Sequence, residues 1–317
     1  MNSNASAKFL LSIIVVSHNT RDLLEDCLAS AINTAGKLDC EILVVDNQSD
    51  DGSVAMVKKK FPKVNLISND HNSGFASACN QGMQAAQGQY LLLLNSDILL
   101  LEGTLAGLVK IMEASPRLGE LGCRLLNTDH TLQQNVGWDV GWVSEFIQKF
   151  FLNRWESSRC PLAGRILKRM HARQRKVDWL KGACVLLRRE AVFEADLMDT
   201  GYFMYLEDAD LSRRLRQLGW DVVFTPGVEA IHHGGASVRK NKERVALEYR
   251  RSQLRYYRKF NGEGSARRLR MYLKFKTGKG RCLWKVKQCL RWGTPECLTE
   301  QDRQLTSLEQ LLQENKK

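Results

Sequence analysis

Four short apolar runs, each released into polar turn residues, constrain this 317-residue chain more than any other feature. They lie at 10–16, 41–45, 64–67 and 90–94. The first, Leu10 to Val16, is continuous in Leu, Ile and Val apart from Ser12, as a strand buried on both faces is. It follows Lys8 and Phe9, but it is too short for a signal peptide and lacks a small-residue cleavage site, so it reads as a first buried strand. Thr20 or Asn19 can cap a helix over about 21–34, with Leu23, Leu24, Cys27, Leu28 and Ala31 on one face. Helix-compatible segments near 53–60 and over 74–87 separate the later runs, and a helix over 102–114 follows. Strands alternating with helices require crossover connections, so the spacing predicts an α/β fold with a mostly parallel central sheet. Polar residues gather after three of the strands, at 17–20, 46–53 and 95–97, and open α/β sheets bind ligands at that edge.

Downstream the pattern is less regular. Residues 130–178 hold Trp138, Trp142, Trp155 and the basic run from Arg165 to Lys176, and read as loops and helices shaping an acceptor side. A strand over 183–187 leads into a helix start. A helix over 208–218 carries Leu211, Leu215 and Leu218 at helical spacing and stops at Gly219. Trp220 to Phe224 reads as a last short strand, ended by Pro226-Gly227. Beyond 236 the chain is helical and basic. The division expected is a catalytic domain over 1–237 and a basic helical extension over 238–317.

Charge separates the same two parts. The formal net charge is +12, yet residues 1–150 carry 11 basic and 16 acidic side chains, whereas 266–292 carry ten basic residues and no acid. Nine cysteines, with no C-x-x-C pair, argue against a disulfide framework or zinc ribbon and for a reducing compartment. No 18-residue apolar run is present to span a bilayer. A dinucleotide fingerprint G-x-G-x-x-G is missing after the first strand, and no phosphate-binding G-x-x-x-x-G-K-[ST] loop occurs. A ligand at the strand ends must be held differently.

The acids and histidines there admit two readings each. Asp46 can accept hydrogen bonds from a nucleobase or ribose, or can close an Asx-turn. Asp97, beside Asn95 at the end of four leucines, can hold a divalent ion or cap the next helix. Glu207, Asp208 and Asp210 follow an aromatic stretch; they suit a first helical turn, and one of them in a partly apolar setting can act as general base. His232 and His233 can ligate a metal, contact a phosphate or be structural.

The order of these elements resembles family 2 of the inverting, nucleotide-sugar-dependent glycosyltransferases, of GT-A fold, in its rhamnosyltransferase-like branch. Ser12 to Asn19 resembles the family's opening strand. Asp46-Asn47-Gln48-Ser49-Asp50-Asp51-Gly52-Ser53 resembles its D-N-x-S-x-D-G-S turn, and Asn72-Ser73-Gly74-Phe75-Ala76 with Asn80-Gln81-Gly82 resembles its N-x-G-F-A and N-x-G element. Asn95-Ser96-Asp97 stands at the D-x-D-type metal motif. Lys181-Gly182-Ala183 through Arg189-Glu190-Ala191, Phe203 to Leu211, and His232 to Ser237 resemble the remaining three motifs.

The resemblance implies that Asp46, with Ser17 and Asn19, holds the nucleoside of the donor, and that Asn72, Gly74, Asn80 and Asn95 belong to the same donor site. It implies a Mg or Mn ion on Asp97, with His232 assisting, and Asp208 as the base that deprotonates the acceptor hydroxyl, with Glu207 and Asp210 positioning the site. Two positions depart from the pattern: Asn95 replaces the first aspartate of D-x-D, and Cys79 stands where many relatives carry arginine. The expected activity is transfer from a nucleotide-diphosphate donor, dTDP-rhamnose by branch, to a lipid-linked or polysaccharide acceptor in bacterial cell-surface glycan synthesis. UDP-GlcNAc, UDP-galactofuranose and an inactive sugar-nucleotide-binding module are the alternatives. The basic arm, with its interleaved Leu, Tyr, Phe and Trp, suits an anionic membrane surface rather than nucleic acid. It implies a cytoplasmic protein peripheral to the inner face of the membrane, its tail closing in a short helix through Leu305, Leu308 and Leu312.

Overall fold

The first run forms β1 (Phe9–Ser17) in the computed structural model of the chain, which describes residues 7–142, 144, 169, 171–234, 242–289 and 294–314. Helix α1 (Arg21–Ala35), β2 (Cys40–Asp46), α2 (Ser53–Lys60), β3 (Asn65–Ser68), α3 (Phe75–Ala85) and β4 (Gly88–Asn95) follow in the expected alternation. Strands β3, β2, β1 and β4 pair in that order, all parallel.

Beyond β4 the expected helix near 102–114 and strand near 183–187 are joined by short strands and one long strand that hydropathy did not reveal. A short β5 (Ile98–Leu100) and α4 (Thr104–Glu113) lead to β6 (Leu118–Leu126). Two-residue strands β7 (Leu132–Gln133), β8 (Val136–Gly137), β9 (Arg175–Lys176) and β10 (Trp179–Leu180) precede β11 (Cys184–Arg188). Strand β11 lies antiparallel between β4 and β6, and the sheet ends with β12 (Asp221–His232) and β5. Helices α5 (Arg189–Glu194) and α6 (Glu207–Gln217) fill the gap before β12. Strand β6 escapes a periodicity reading because two glycines and Glu120 interrupt its apolar residues. Gly122 is needed there, since a Cβ would stand 2.6 Å from the Leu180 side chain packed across it.

Strand β12 does not end at Pro226-Gly227. It runs for twelve residues, and its parallel register with β6 breaks between Phe224 and Glu229 before resuming at Arg124, Leu125 and Leu126. Proline lacks the donor a ladder needs, so it sits in the bulge rather than at a strand end.

Two apolar layers cover the sheet. On one face Tyr90, Leu92 and Leu94 meet Leu24 and Leu28 of α1 and Leu105 and Leu108 of α4. On the other, Leu91 and Leu93 meet Ala76 and Met83 of α3, Val192 of α5 and Leu211 and Leu215 of α6. Burial on both faces explains why β4 reads as an unbroken leucine run. Leu218, expected on the same helical stripe, is exposed, because α6 stops one residue earlier and Gly219 turns the chain at φ +89°.

The chain divides into two units, Met1–Phe203 with Glu207–Arg239, and Met204–Leu206 with Lys240–Lys317. The second contains α7 (Lys242–Asn261), α8 (Glu263–Cys289) and α9 (Pro295–Glu314). Arg281 ties α8 to Asp302, Thr306 and Glu309 of α9, and Ser307 donates to Glu243 of α7. The tail is thus a twenty-residue helix, longer than its leucines suggested. The interleaved apolar residues of α8 divide: Leu269 and Leu273 are buried, whereas Met271, Tyr272, Phe275, Leu283 and Val286 are exposed. Leu290, Trp292, Trp155 and the start of the basic run, 165–168, lie outside the described residues. No described helix is long and apolar enough to cross a membrane.

Candidate active site

The parallel register sets Ser17 beside Asp46, so the first two strands release their polar turns at one edge. Asn19 adopts a left-handed φ of +55°; its backbone N–H donates to Ser49 Oγ at 2.9 Å, and its Oδ1 accepts from the Asp50 N–H at 2.8 Å. Thr20 precedes α1 but makes no side-chain cap; its hydroxyl instead joins Ser17 and Ser96 in a buried hydroxyl chain. The cap comes from the neighbouring turn, where Asp51 accepts from the Arg21 N–H at 2.8 Å and holds Ser53 at the start of α2. Asp46 itself closes an Asx-turn through Oδ2 to the Ser49 N–H, while its buried Oδ1 has no hydrogen-bond partner among the described residues. The Asx-turn reading of Asp46 thus holds for one oxygen, and the other is without a hydrogen-bond partner among the described residues.

Asn47 is a residue the sequence reading passed over. Its buried side chain donates to Asn72 Oδ1 (2.9 Å) and to the Gly74 carbonyl (3.2 Å), and accepts from Asn69 and Ser73. Asn72 Oδ1 also accepts the Gly74 N–H at 3.0 Å. Gly74 has φ +88°, and a Cβ there would lie 2.6 Å from the Phe203 carbonyl, to which Phe75 donates at 2.8 Å. Only glycine meets both demands. Asn80 stands apart from this rim: its amide donates to and accepts from the Met198 backbone at 2.8 and 3.0 Å, and so fastens α3 to the segment before α6. That use is structural, unlike the ligand contact the resemblance implied.

The second rim is charged. Asp97 follows β4, and the long β12 brings His232 opposite Ile98, so that His232 Nε2 lies 3.2 Å from Asp97 Oδ1. The His233 N–H donates to the Asp97 carbonyl. Burial pushes the Asp97 carboxyl up, but the His232 hydrogen bond and charge, with Lys181 nearby, hold it below the ordinary range. Asn95 donates its N–H to the Ala183 carbonyl, and its buried Oδ1 is unpartnered among the described residues. Asp208, at the start of α6, accepts the Gly182 N–H at 3.1 Å and the Ala209 N–H at 2.7 Å. Burial raises it, partly offset by those two donors and by Lys181. Lys181 thus acts on both carboxylates, and joins the exit of β4 to the start of α6 through the Lys181-Gly182-Ala183 segment. Glu207 is buried with Oε2 unpartnered among the described residues; burial, then the Asp208 and Asp210 charges, lift its carboxyl well above the usual range. Asp210 is tied to Arg214 and to the Tyr202 hydroxyl, a packing role within the first turn. Cys79, where relatives carry arginine, is wholly buried, so the chain offers no cation at that point.

Among the described residues no three His, Cys, Asp or Glu side chains converge as a cation cage. The donor set after β4 is instead one carboxylate and one imidazole, those of Asp97 and His232, and the Asn95 oxygen at the end of β4 is unpartnered among the described residues. Such a set fits an ion that completes its shell with phosphate oxygens and water. Fold and site together define an α/β protein whose strand edge carries Asp97 beside His232 and a half-buried Asp208 at the start of α6.

The model of glycosyl transferase family 2 matches residues 12–192, more than half of the chain, and the chain belongs to that family. It is a glycosyltransferase related to rhamnosyltransferases. N-acetylglucosaminyl-diphospho-decaprenol L-rhamnosyltransferase of Mycobacterium tuberculosis is 28% identical over 235 residues, 71% of this chain and 76% of that protein. Rhamnosyltransferase WbbL of Escherichia coli K12 is 26% identical over 253 residues, 78% of this chain and 92% of that protein. The solved mannosyltransferase PcManGT of Pyrobaculum calidifontis, in complex with GDP-Man and Mn2+, shares the fold with a TM-score of 0.54 and 16% identity over 98% of this chain and 88% of its own. GalNAc-T7, solved with UDP, GalNAc and Mn2+, matches with a TM-score of 0.53 and 20% identity over 73% of this chain, which spans 44% of it.

Proposed function

We propose that the chain transfers a sugar, with inversion, from a nucleotide-diphosphate donor to a lipid-linked or polysaccharide acceptor of a bacterial cell surface, with dTDP-rhamnose as the donor. The named activities of the two rhamnosyltransferases support the sugar and the acceptor class. The observation that carries the chemistry is that one segment, Lys181-Gly182-Ala183, touches both sides of the site: the Ala183 carbonyl accepts the Asn95 N–H at 2.9 Å, two residues before Asp97, and the Gly182 N–H donates to Asp208 Oδ2 at 3.1 Å.

In this reading Ser17, Asn19 and the open Oδ1 of Asp46 receive the nucleoside, and the Asn47–Asn72–Gly74 net shapes the loop beside it. Asp97 and His232, with Asn95, would hold a Mg or Mn ion, which supplies Lewis-acid neutralisation of the departing diphosphate. Asp208 takes the acceptor hydroxyl proton. The freed oxygen forms its bond to the anomeric carbon as the carbon–oxygen bond to the diphosphate breaks, and the nucleoside diphosphate leaves with the electron pair. A carboxyl raised by burial is a stronger base than an exposed one, which suits this task. The Gly182 and Ala209 N–H donors, and after them the Lys181 charge, oppose that rise.

The exposed stripe of α8 supports a role at an anionic membrane surface on the cytoplasmic side. Met271, Phe275 and Val286 recur at helical spacing beside Lys274, Lys279 and Lys285. Replacing Phe275 and Val286 by aspartate should abolish flotation with phosphatidylglycerol vesicles and leave a soluble, folded enzyme; undiminished flotation removes the membrane assignment.

The decisive test is transfer by Asp208→Asn across dTDP-rhamnose, UDP-GlcNAc and UDP-galactofuranose. Turnover with the true donor should fall about 10²–10⁴-fold while the donor's thermal shift persists. Near-normal turnover overturns the base assignment, and no shift with any donor overturns the function.

A further inference from the structure

The metal-competent pair has a supporting residue that neither the sequence nor the family pattern singled out. Gln133, on β7, approaches His232 from behind, with Oε1 at 2.5 Å from Nδ1. The same Oε1 is 3.5 Å from Lys181 Nζ, and Gln133 Nε2 donates to Asn127 Oδ1 at 2.9 Å. Asn127 is held in turn by Thr131, through Nδ2 to Oγ1 at 2.9 Å and across the β6–β7 turn.

Donor and acceptor identities fix the ring. An ammonium only donates, so the Gln133 atom it meets is the oxygen. An amide oxygen only accepts, so His232 Nδ1 must carry a proton. In the neutral ring Nε2 is then a lone pair, and it lies 3.2 Å from an oxygen of the Asp97 carboxylate, also an acceptor. Two acceptors at that distance repel unless a positive charge stands between them: a ring proton, or a cation. His232 is 4% exposed, so water does little to screen the pair.

We propose that Gln133 is the positioning residue of this site: it fixes the Nδ1–H tautomer of His232 so that Nε2 is presented, with Asp97, to a divalent cation. Lys181 locks the amide in the required orientation from the other side. The proposal rests on the reading of Asp97 and His232 as cation ligands. Outer-shell partners of ligating histidines orient the ring and raise its basicity, and their loss costs about 10–100-fold in metal affinity.

The test uses the full chain with dTDP, titrated with Mn²⁺ and followed by the electron paramagnetic resonance of free aquo-Mn²⁺. Gln133→Leu should weaken Mn²⁺ binding about 10–100-fold, and Gln133→Glu, which keeps an acceptor against Nδ1, should return it to within a few-fold of wild type. A leucine variant binding Mn²⁺ as tightly as wild type overturns the proposal, as does a folded glutamate variant as weak as the leucine one. Equal binding by wild type and Asp97→Asn would instead sink the assignment of the ion to this carboxylate. The tautomer is read separately, from long-range ¹⁵N–¹H spectra of the wild-type imidazole with Mg²⁺ and dTDP. A protonated Nδ1 is expected, and a His232 ring protonated on Nε2 alone overturns the proposal even if no variant folds.

Discussion

The two rims of the site are built from different materials. Around Asn19, Asn47, Asn72 and Gly74 the partners are amides, hydroxyls and backbone groups, and short hydrogen bonds hold two loops against each other. Around Asp97, Lys181, Glu207 and Asp208 the side chains themselves are charged, and the three carboxyls are shifted from their ordinary values. A neutral net is satisfied before any ligand arrives, so it supplies shape. A charged rim with Asp97 and His232 3.2 Å apart and, among the described residues, unpartnered oxygens on Asn95 and Glu207 is not, so it gains most from a ligand that brings charge.

The largest effect that separates the rims falls on the neutral side. Gly74→Ala forces a Cβ into the Phe203 carbonyl at a φ that alanine resists. Left-handed strain alone costs on the order of 1–3 kcal/mol, and the clash adds to it. The variant should melt well below wild type and bind no donor nucleotide, and an unchanged melting curve would mean that the loop is not fixed as described. Asn47→Ala comes next. Stranding its buried partners costs about 1–3 kcal/mol, and chemical denaturation should report that loss together with weaker nucleotide binding. If stability falls but nucleotide affinity holds, the neutral rim is scaffold only.

A pH-dependent effect sharpens the charged side. Glu120 is buried in β6, accepts from Ser212 Oγ at 2.7 Å, and is pushed by burial up to about 8, with the Asp208 charge adding to the rise. Its native form therefore binds a proton that the unfolded chain, near the ordinary value of 4.5, has released. Between those two values the folded state holds more protons, so stability falls as pH rises from about 4.5 to about 8, levelling off above. Glu120→Gln keeps the shape and removes the titration. Thermal melts of the variant should be flatter across that window, and its advantage over wild type should be greatest at the alkaline end. Parallel pH curves for the two proteins would refute this.

Legibility in the sequence followed the same physics. Strands β1, β2 and β4 are covered on both faces, so their hydropathy is continuous and their polar ends stand out. Strands β5 and β6 and the second half of β12 were not legible. In β6 a buried acid and two glycines answer to neighbours far along the chain, Ser212, Trp220 and Leu180, which no local window contains. The motif residues of the site were visible as residue types at strand ends. Asn47, Gln133 and Lys181 acquire their parts only from partners 25 to 99 positions away. The one available signal for Asn47 was its place beside Asp46 in the turn. Asn80 marks the opposite case: a residue conspicuous by motif whose amide is consumed by the Met198 backbone.

The bulge at Pro226-Gly227 governs more than the shape of a strand. Side chains alternate faces along β12, so the number of residues between Phe224 and the resumed ladder at Glu229 decides which face every later side chain occupies. Excising one residue from that irregularity would invert the parity of the distal segment and turn the His232 ring away from Asp97, although neither residue had been altered. The imidazole's address is thus written five to six positions upstream of the Nε2 atom it delivers, in a count rather than in a contact.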